Sequence, residues 1–118
     1  MFKILKLFSI AATAFIVSGQ ALFAGNIPES DDPIKVTIQD WTGQHFSTHV
    51  AAGLLKEMGY NVEIVVSDAI TQHPAIASGN INLSTEVWTN NVGDLYDGLV
   101  DKGDIVVVGE LGLSPKEG

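Results

Sequence analysis

Hydrophobic and polar positions alternate from Ile34 to Gln39, in a β-branched run that predicts a first strand. Asp40-Trp41-Thr42-Gly43-Gln44 breaks that pattern and reads as the loop at the strand's C-terminal end. From His45 to Met58 the apolar residues Phe46, Val50, Leu54 and Met58 recur every four positions, flanked by Ala51 and Leu55. That spacing predicts a helix with one buried stripe. Gly59 follows the last periodic residue, where a helix stop belongs. Tyr60 to Val66 reads as a second strand, and Ser67-Asp68 as a turn that offers an N-cap. Ala69 to Ser78 reads as a short helix broken at Pro74 and stopped by Gly79-Asn80. Ile81 to Val87 is a third, shorter strand. Asn90 to Lys102 carries Val92, Leu95, Leu99 and Val100 at helical spacing, and Gly103-Asp104 turns the chain. Ile105 to Val108 is a candidate buried strand, followed by a loop over 109–118.

The resulting order is β-α-β-α-β-α-β. Such alternation predicts an α/β fold with a largely parallel sheet flanked by helices. Ligands of open α/β sheets sit beyond the C-terminal strand ends. Trp41 and Trp88 both fall at such ends, after the first and third strands. An aromatic in a polar loop has no core to fill, and indole faces bind organic cations well. The two tryptophans are therefore the first candidate ligand contacts. The alternative is that either indole plugs the edge of the sheet.

Before the first strand the pattern changes. Lys3 and Lys6 precede an apolar run from Leu7 to Val17, and small residues follow up to Ala24. A basic start, a short apolar stretch and a small-residue end describe a secretory signal peptide over 1–24. A spanning helix needs ~20 apolar residues, more than this run supplies. Cleavage after Ala24 fits by position, with Ala21 as the competing site. Gly25 to Pro33 is then a polar linker, and 34–118 the folded part.

Charge narrows the function classes. Fourteen acidic residues face six lysines and no arginine, a formal charge of −8. Nucleic-acid binding needs clustered Lys and Arg to neutralise phosphates, so that class is excluded. No cysteine is present, which excludes disulfides, thiolate metal sites and a Cys nucleophile. At 46% hydrophobic and 17% charged residues the chain is not a disordered tail.

The remaining polar motifs carry little chemistry. His45 and His49 share a helix face, but two imidazoles do not close a zinc site. Phe46 stands where a zinc protease needs its Glu. His73 reads as a loop histidine without an obvious partner. Asp94, Asp97, Asp101 and Asp104 form an acidic stripe at helical spacing, which does not match a calcium loop and reads as a solvated face. Asn82-Leu83-Ser84 matches a glycosylation sequon at a strand position. No phosphate-cradling glycine loop, Gly-x-Ser-x-Gly or Ser/His/Asp set is present, so the chain does not read as an enzyme and calls for no cofactor.

An ordered set of short motifs carries a resemblance. It begins at Asp40-Trp41-Thr42-Gly43-Gln44-His45 and continues with Met58-Gly59-Tyr60-Asn61-Val62-Glu63. Ala77-Ser78-Gly79-Asn80-Ile81-Asn82, Glu86-Val87-Trp88-Thr89-Asn90-Asn91 and 109–118 complete it. From about Ile34 to Gly118 the chain resembles the substrate-binding proteins of glycine betaine/proline betaine/choline ABC transporters. The resemblance implies a type II periplasmic-binding-protein-like lobe, with the ligand in a cleft between two lobes. It implies a periplasmic, non-enzymatic protein that hands a betaine-like solute to an inner-membrane permease. Trp88 matches the family's strand-end tryptophan and takes a cage role; Trp41 and Thr42 match its first cleft loop; Asp40 and His45 are further contact candidates. Asn90-Asn91 stand where the family often has Pro. Two lobes need ~200 residues or more, so the expectation is an N-terminal fragment with the first lobe in 34–118 that binds ligand weakly or not at all by itself. The rival readings are a binder of another organic cation or amino acid, and a small envelope domain that binds a protein partner.

Overall fold

The computed structural model describes residues 27–112, so the predicted signal peptide lies outside the described residues. Strand β1 spans Ile34–Ile38 and β2 spans Val62–Val66. They pair in parallel, with Ile34 opposite Val62 and Ile38 opposite Val66. Helix α1, Thr42–Glu57, makes the crossover between them. A parallel pair needs such a connection, because its strands run the same way. Helix α2 follows at Gln72–Ala77, then a 3-10 turn at Thr89–Asn91 and helix α3 at Gly93–Asp101. Pro74 does not break α2. It occupies the third helical position, in the first turn, where its missing N–H has no intrahelical partner to lose.

The glycine stops act as read from the sequence. At the end of α1, Gly59 N–H donates to the Lys56 carbonyl at 2.9 Å and Tyr60 N–H to Leu55 at 3.0 Å, with Gly59 at φ +97°. This paired pattern closes the helix end and needs a residue tolerant of positive φ. Gly79 and Gly103 close α2 and α3 in the same way. Asp68 caps the turn before α2, where its Oδ1 accepts from Ile70 and Thr71 N–H at 2.9 and 2.8 Å. These bonds, led by that from the Thr71 hydroxyl, hold the Asp68 carboxyl below its ordinary pKa. The polar lead is tied down: the Tyr60 hydroxyl donates to Glu29 Oε2 at 2.6 Å.

Two predicted strands shrink. The third is reduced to a single parallel bridge between Val36 and Leu83. Its backbone still binds β1, with Asn82 N–H donating to Lys35 O at 2.9 Å and Thr37 N–H to Leu83 O at 2.9 Å. The fourth is absent among the described residues. Ile105 is buried, but Val106, Val107 and Val108 are 76%, 55% and 89% exposed. A run of valines becomes a strand only beside a free ladder edge, and neither β1 nor β2 takes it.

Helix α1 reverses the expected face. Phe46, Val50, Leu54 and Met58 point outward, and Phe46 is 74% exposed. Gln44, Thr48 and Ala52 are buried instead. The reason is polar. Thr48 Oγ1 donates to the Thr37 carbonyl of β1 at 3.0 Å, and Gln44 Nε2 reaches Thr48 and Thr85 hydroxyls at 3.3 and 3.4 Å. Buried polar groups need such partners, so this face docks on the strands. The apolar core is small: Val36, Ile38, Ala52, Ile81, Tyr96 and Ile105. In α3, Tyr96 is buried and Leu95 is half exposed, whereas Asp94, Asp97 and Asp101, and Asp104 just beyond the helix, are all exposed, as the acidic stripe predicts.

Candidate ligand wall at the strand ends

β1 lies between β2 and the 82–83 segment, and all three run the same way. Their C-terminal ends therefore share one edge. The first residues past that edge are Gln39 to Trp41 after β1, Ser67-Asp68 after β2, and Ser84 to Trp88 after the bridge. A buried polar layer supports the edge. Gln72 Oε1 accepts from Gln39 Nε2 at 2.6 Å and from the Ser84 hydroxyl at 2.8 Å. The Thr37 and Ser67 hydroxyls are hydrogen-bonded to each other. These bonds tie the three strand ends together below the surface.

Four of the five predicted contact residues line one shallow depression of about 330 Å³: Asp40, Trp41, Thr42 and His45. Trp41 stands at the N-cap of α1 in extended conformation, and Thr42 and His45 occupy the helix's first turn. Asp40, Thr42 and His45 are exposed, and Trp41 is half-buried. Trp88 is not part of that lining. It precedes the 3-10 turn, also half-buried.

Glu86 joins the two tryptophans. Trp41 Nε1 donates to Glu86 Oε1 at 2.9 Å, and Trp88 Nε1 donates to the same oxygen at 2.6 Å. Both indoles are thereby fixed at their polar edges. The sequence reading gave Glu86 no role. The available signal was its place two residues before Trp88 in an extended segment, which puts both side chains on one face.

The histidines divide. His45 and His49 are exposed on α1 with ring centroids 6.4 Å apart. Among the described residues no group of three or more His, Cys, Asp or Glu could hold a metal ion. His73 is not a loop residue. It lies in α2, 1% exposed, with its ring edge-on to Tyr96. Burial pushes its pKa down, partly offset by a hydrogen bond to the Ala69 backbone.

Residues 32–118 match the family described as the substrate binding domain of the ABC-type glycine betaine transport system. The chain belongs to this family. The matched range includes both tryptophans, Glu86 and the depression, so the whole wall falls inside the substrate binding domain. The chain is also 35% identical over 112 residues to the trimethylamine N-oxide-binding protein of Pelagibacter ubique (strain HTCC1062). That alignment covers 93% of this chain and 34% of the relative, so the chain spans about a third of the relative's length. No solved structure matches. Among the described residues no helix is long and apolar enough to cross a membrane.

Proposed function

We propose that this chain forms one wall of the ligand cleft in an extracytoplasmic solute-binding protein of an ABC importer. Its ligand is a small zwitterion with a trimethylammonium head. The observation that carries this reading is the pairing of Trp41 and Trp88 through one carboxylate at the sheet's C-terminal edge. Indole faces attract quaternary ammonium groups through the ring quadrupole. The family is described by glycine betaine transport, and the relative is named for trimethylamine N-oxide. Both solutes carry three N-methyl groups, so a wall that reads only that head serves either.

The mechanism is binding and closure, with no bond made or broken. In a type II periplasmic binding protein a second lobe brings the opposing cage residues, and closure about a hinge removes the ligand from water. Trp88 and Trp41 hold the methyl groups. Asp40, Thr42 and His45 line the approach to Trp41. The loaded protein then docks on a permease in the inner membrane. The signal peptide over 1–24 directs export to the periplasm.

Calorimetry on the purified chain with trimethylamine N-oxide, glycine betaine, choline, carnitine and proline tests the ligand class. The trimethylated solutes bind weakly, because one wall desolvates only part of the head. Proline gives no heat. Equal binding of proline would move the ligand to the amino acid class. Submillimolar binding of any solute would show that a single wall is not the limit on affinity.

A further inference from the structure

Glu86 is a half-buried carboxylate that lies between the two indoles and the start of α1. Oε1 accepts both indole N–H groups. The whole carboxylate lies against the first turn of α1, where a Cβ built on Gly43 would stand 3.2 Å from Oε2 and 3.4 Å from Oε1. The first N–H groups of a helix lack intrahelical partners and carry partial positive charge. Helix α1 has no side-chain N-cap bond and no acidic residue in its own first turn. Glu86, brought from beyond the third strand segment, supplies the missing negative charge. A half-buried carboxylate without donors is costly, and here the two indole N–H groups meet that need beside the positive end of the helix.

We propose that Glu86 is the positioning residue of the wall: it locks both indoles in one orientation and biases their faces toward cations. This inference rests on the reading of Trp41 and Trp88 as ligand-facing. An indole N–H that donates to an anion passes electron density into its ring and makes the π-face more negative, which is the property that attracts an onium head. Because one oxygen serves both rings, removing it frees both at once. An ordinary packing residue would disturb only its own neighbour.

The test uses the chain with ¹⁵N-labelled tryptophan, in wild type, Glu86→Ala and Glu86→Gln, each checked for its thermal unfolding midpoint. In Glu86→Ala both indole N–H resonances shift upfield and exchange with solvent several-fold faster. Glu86→Gln retains an acceptor oxygen and restores protection to at least one indole, which keeps the test valid if the alanine variant unfolds. Each form is then titrated with tetramethylammonium and with its neutral isostere tert-butanol. The wild-type preference for the cation falls by ~10-fold in Glu86→Ala, and Glu86→Gln does not restore it. Unmoved indole resonances in Glu86→Ala overturn the positioning role. An unchanged cation preference in Glu86→Gln overturns the charge role. If the wild type binds neither probe while both indoles respond to Glu86→Ala, the positioning role stands and the ligand reading of the wall fails.

Discussion

His73 on α2 meets Tyr96 on α3 edge to face, with ring centroids 5.1 Å apart. Both rings are buried, at 1% and 8% exposed, and they join the two shorter helices. The histidine Nε2 is buried without a hydrogen-bond partner. A neutral ring tolerates that position; an imidazolium would need a second acceptor there.

That relationship sets a pH dependence. Burial lowers the folded-state pKa of His73 below the unfolded imidazole value. The unfolded chain therefore takes up its proton first as pH falls. The stabilisation is full above about pH 6.5 and is lost as pH drops from there through the lowered folded value. The thermal unfolding midpoint should fall between about pH 7.5 and about pH 5. His73→Phe keeps a ring against Tyr96 and should flatten this part of the curve.

The outward stripe of α1 separates the observed helix face from the one its apolar spacing predicts. Phe46→Ser and Leu54→Ser remove exposed side chains, so each should change stability by about 0.5 kcal/mol or less. Val36→Ala opens a fully buried site in β1 and should cost about 2 kcal/mol. Urea unfolding of the three variants distinguishes the two faces.

Gln72 ties α2 to two strand ends through one oxygen. Gln72→Leu leaves the Gln39 amide and the Ser84 hydroxyl without that acceptor. The Ser84 hydroxyl keeps the Glu86 carbonyl as an acceptor at 3.2 Å, so only the buried Gln39 amide is left unpaired, at a cost of about 1–3 kcal/mol. A chemical denaturation midpoint reads it directly.

Gly43 stands against the Glu86 carboxylate. Gly43→Val puts bulk where Oε2 lies and should push the carboxylate off the first turn of α1. Both tryptophan signals in near-ultraviolet circular dichroism should change, although neither tryptophan is mutated. The same change at exposed Gly53, where an added Cβ meets nothing within 4 Å, should leave them as they are.

Local rules made much of this fold legible. The alternation over Ile34–Ile38 gave β1, and Gly59, Gly79 and Gly103 marked three helix ends, because each signal lies within a few residues. Trp41, Thr42, Asp40 and His45 came together because all belong to one strand-end loop and the helix turn after it. What was hidden depends on distant partners. Ile105 to Val108 carries a strand composition, but strand formation is decided by a neighbouring edge. The face of α1 was decided by the Thr37 carbonyl, a polar partner that hydrophobic spacing does not register. Glu86 joins Trp41 across 45 positions of sequence, a contact no local pattern encodes.

Trp41 and Trp88 are proposed to form one wall for a trimethylammonium head. The most direct measurement is a tryptophan fluorescence titration with trimethylamine N-oxide on the wild-type chain and on Trp88→Ala and Trp41→Ala. A saturable change with a dissociation constant in the millimolar range is predicted, on the order of 4 kcal/mol of binding. Each alanine variant should weaken it, and tert-butanol should not reproduce it. A response that survives Trp88→Ala unchanged, or that tert-butanol matches, would return the two indoles to a purely structural role at the sheet edge.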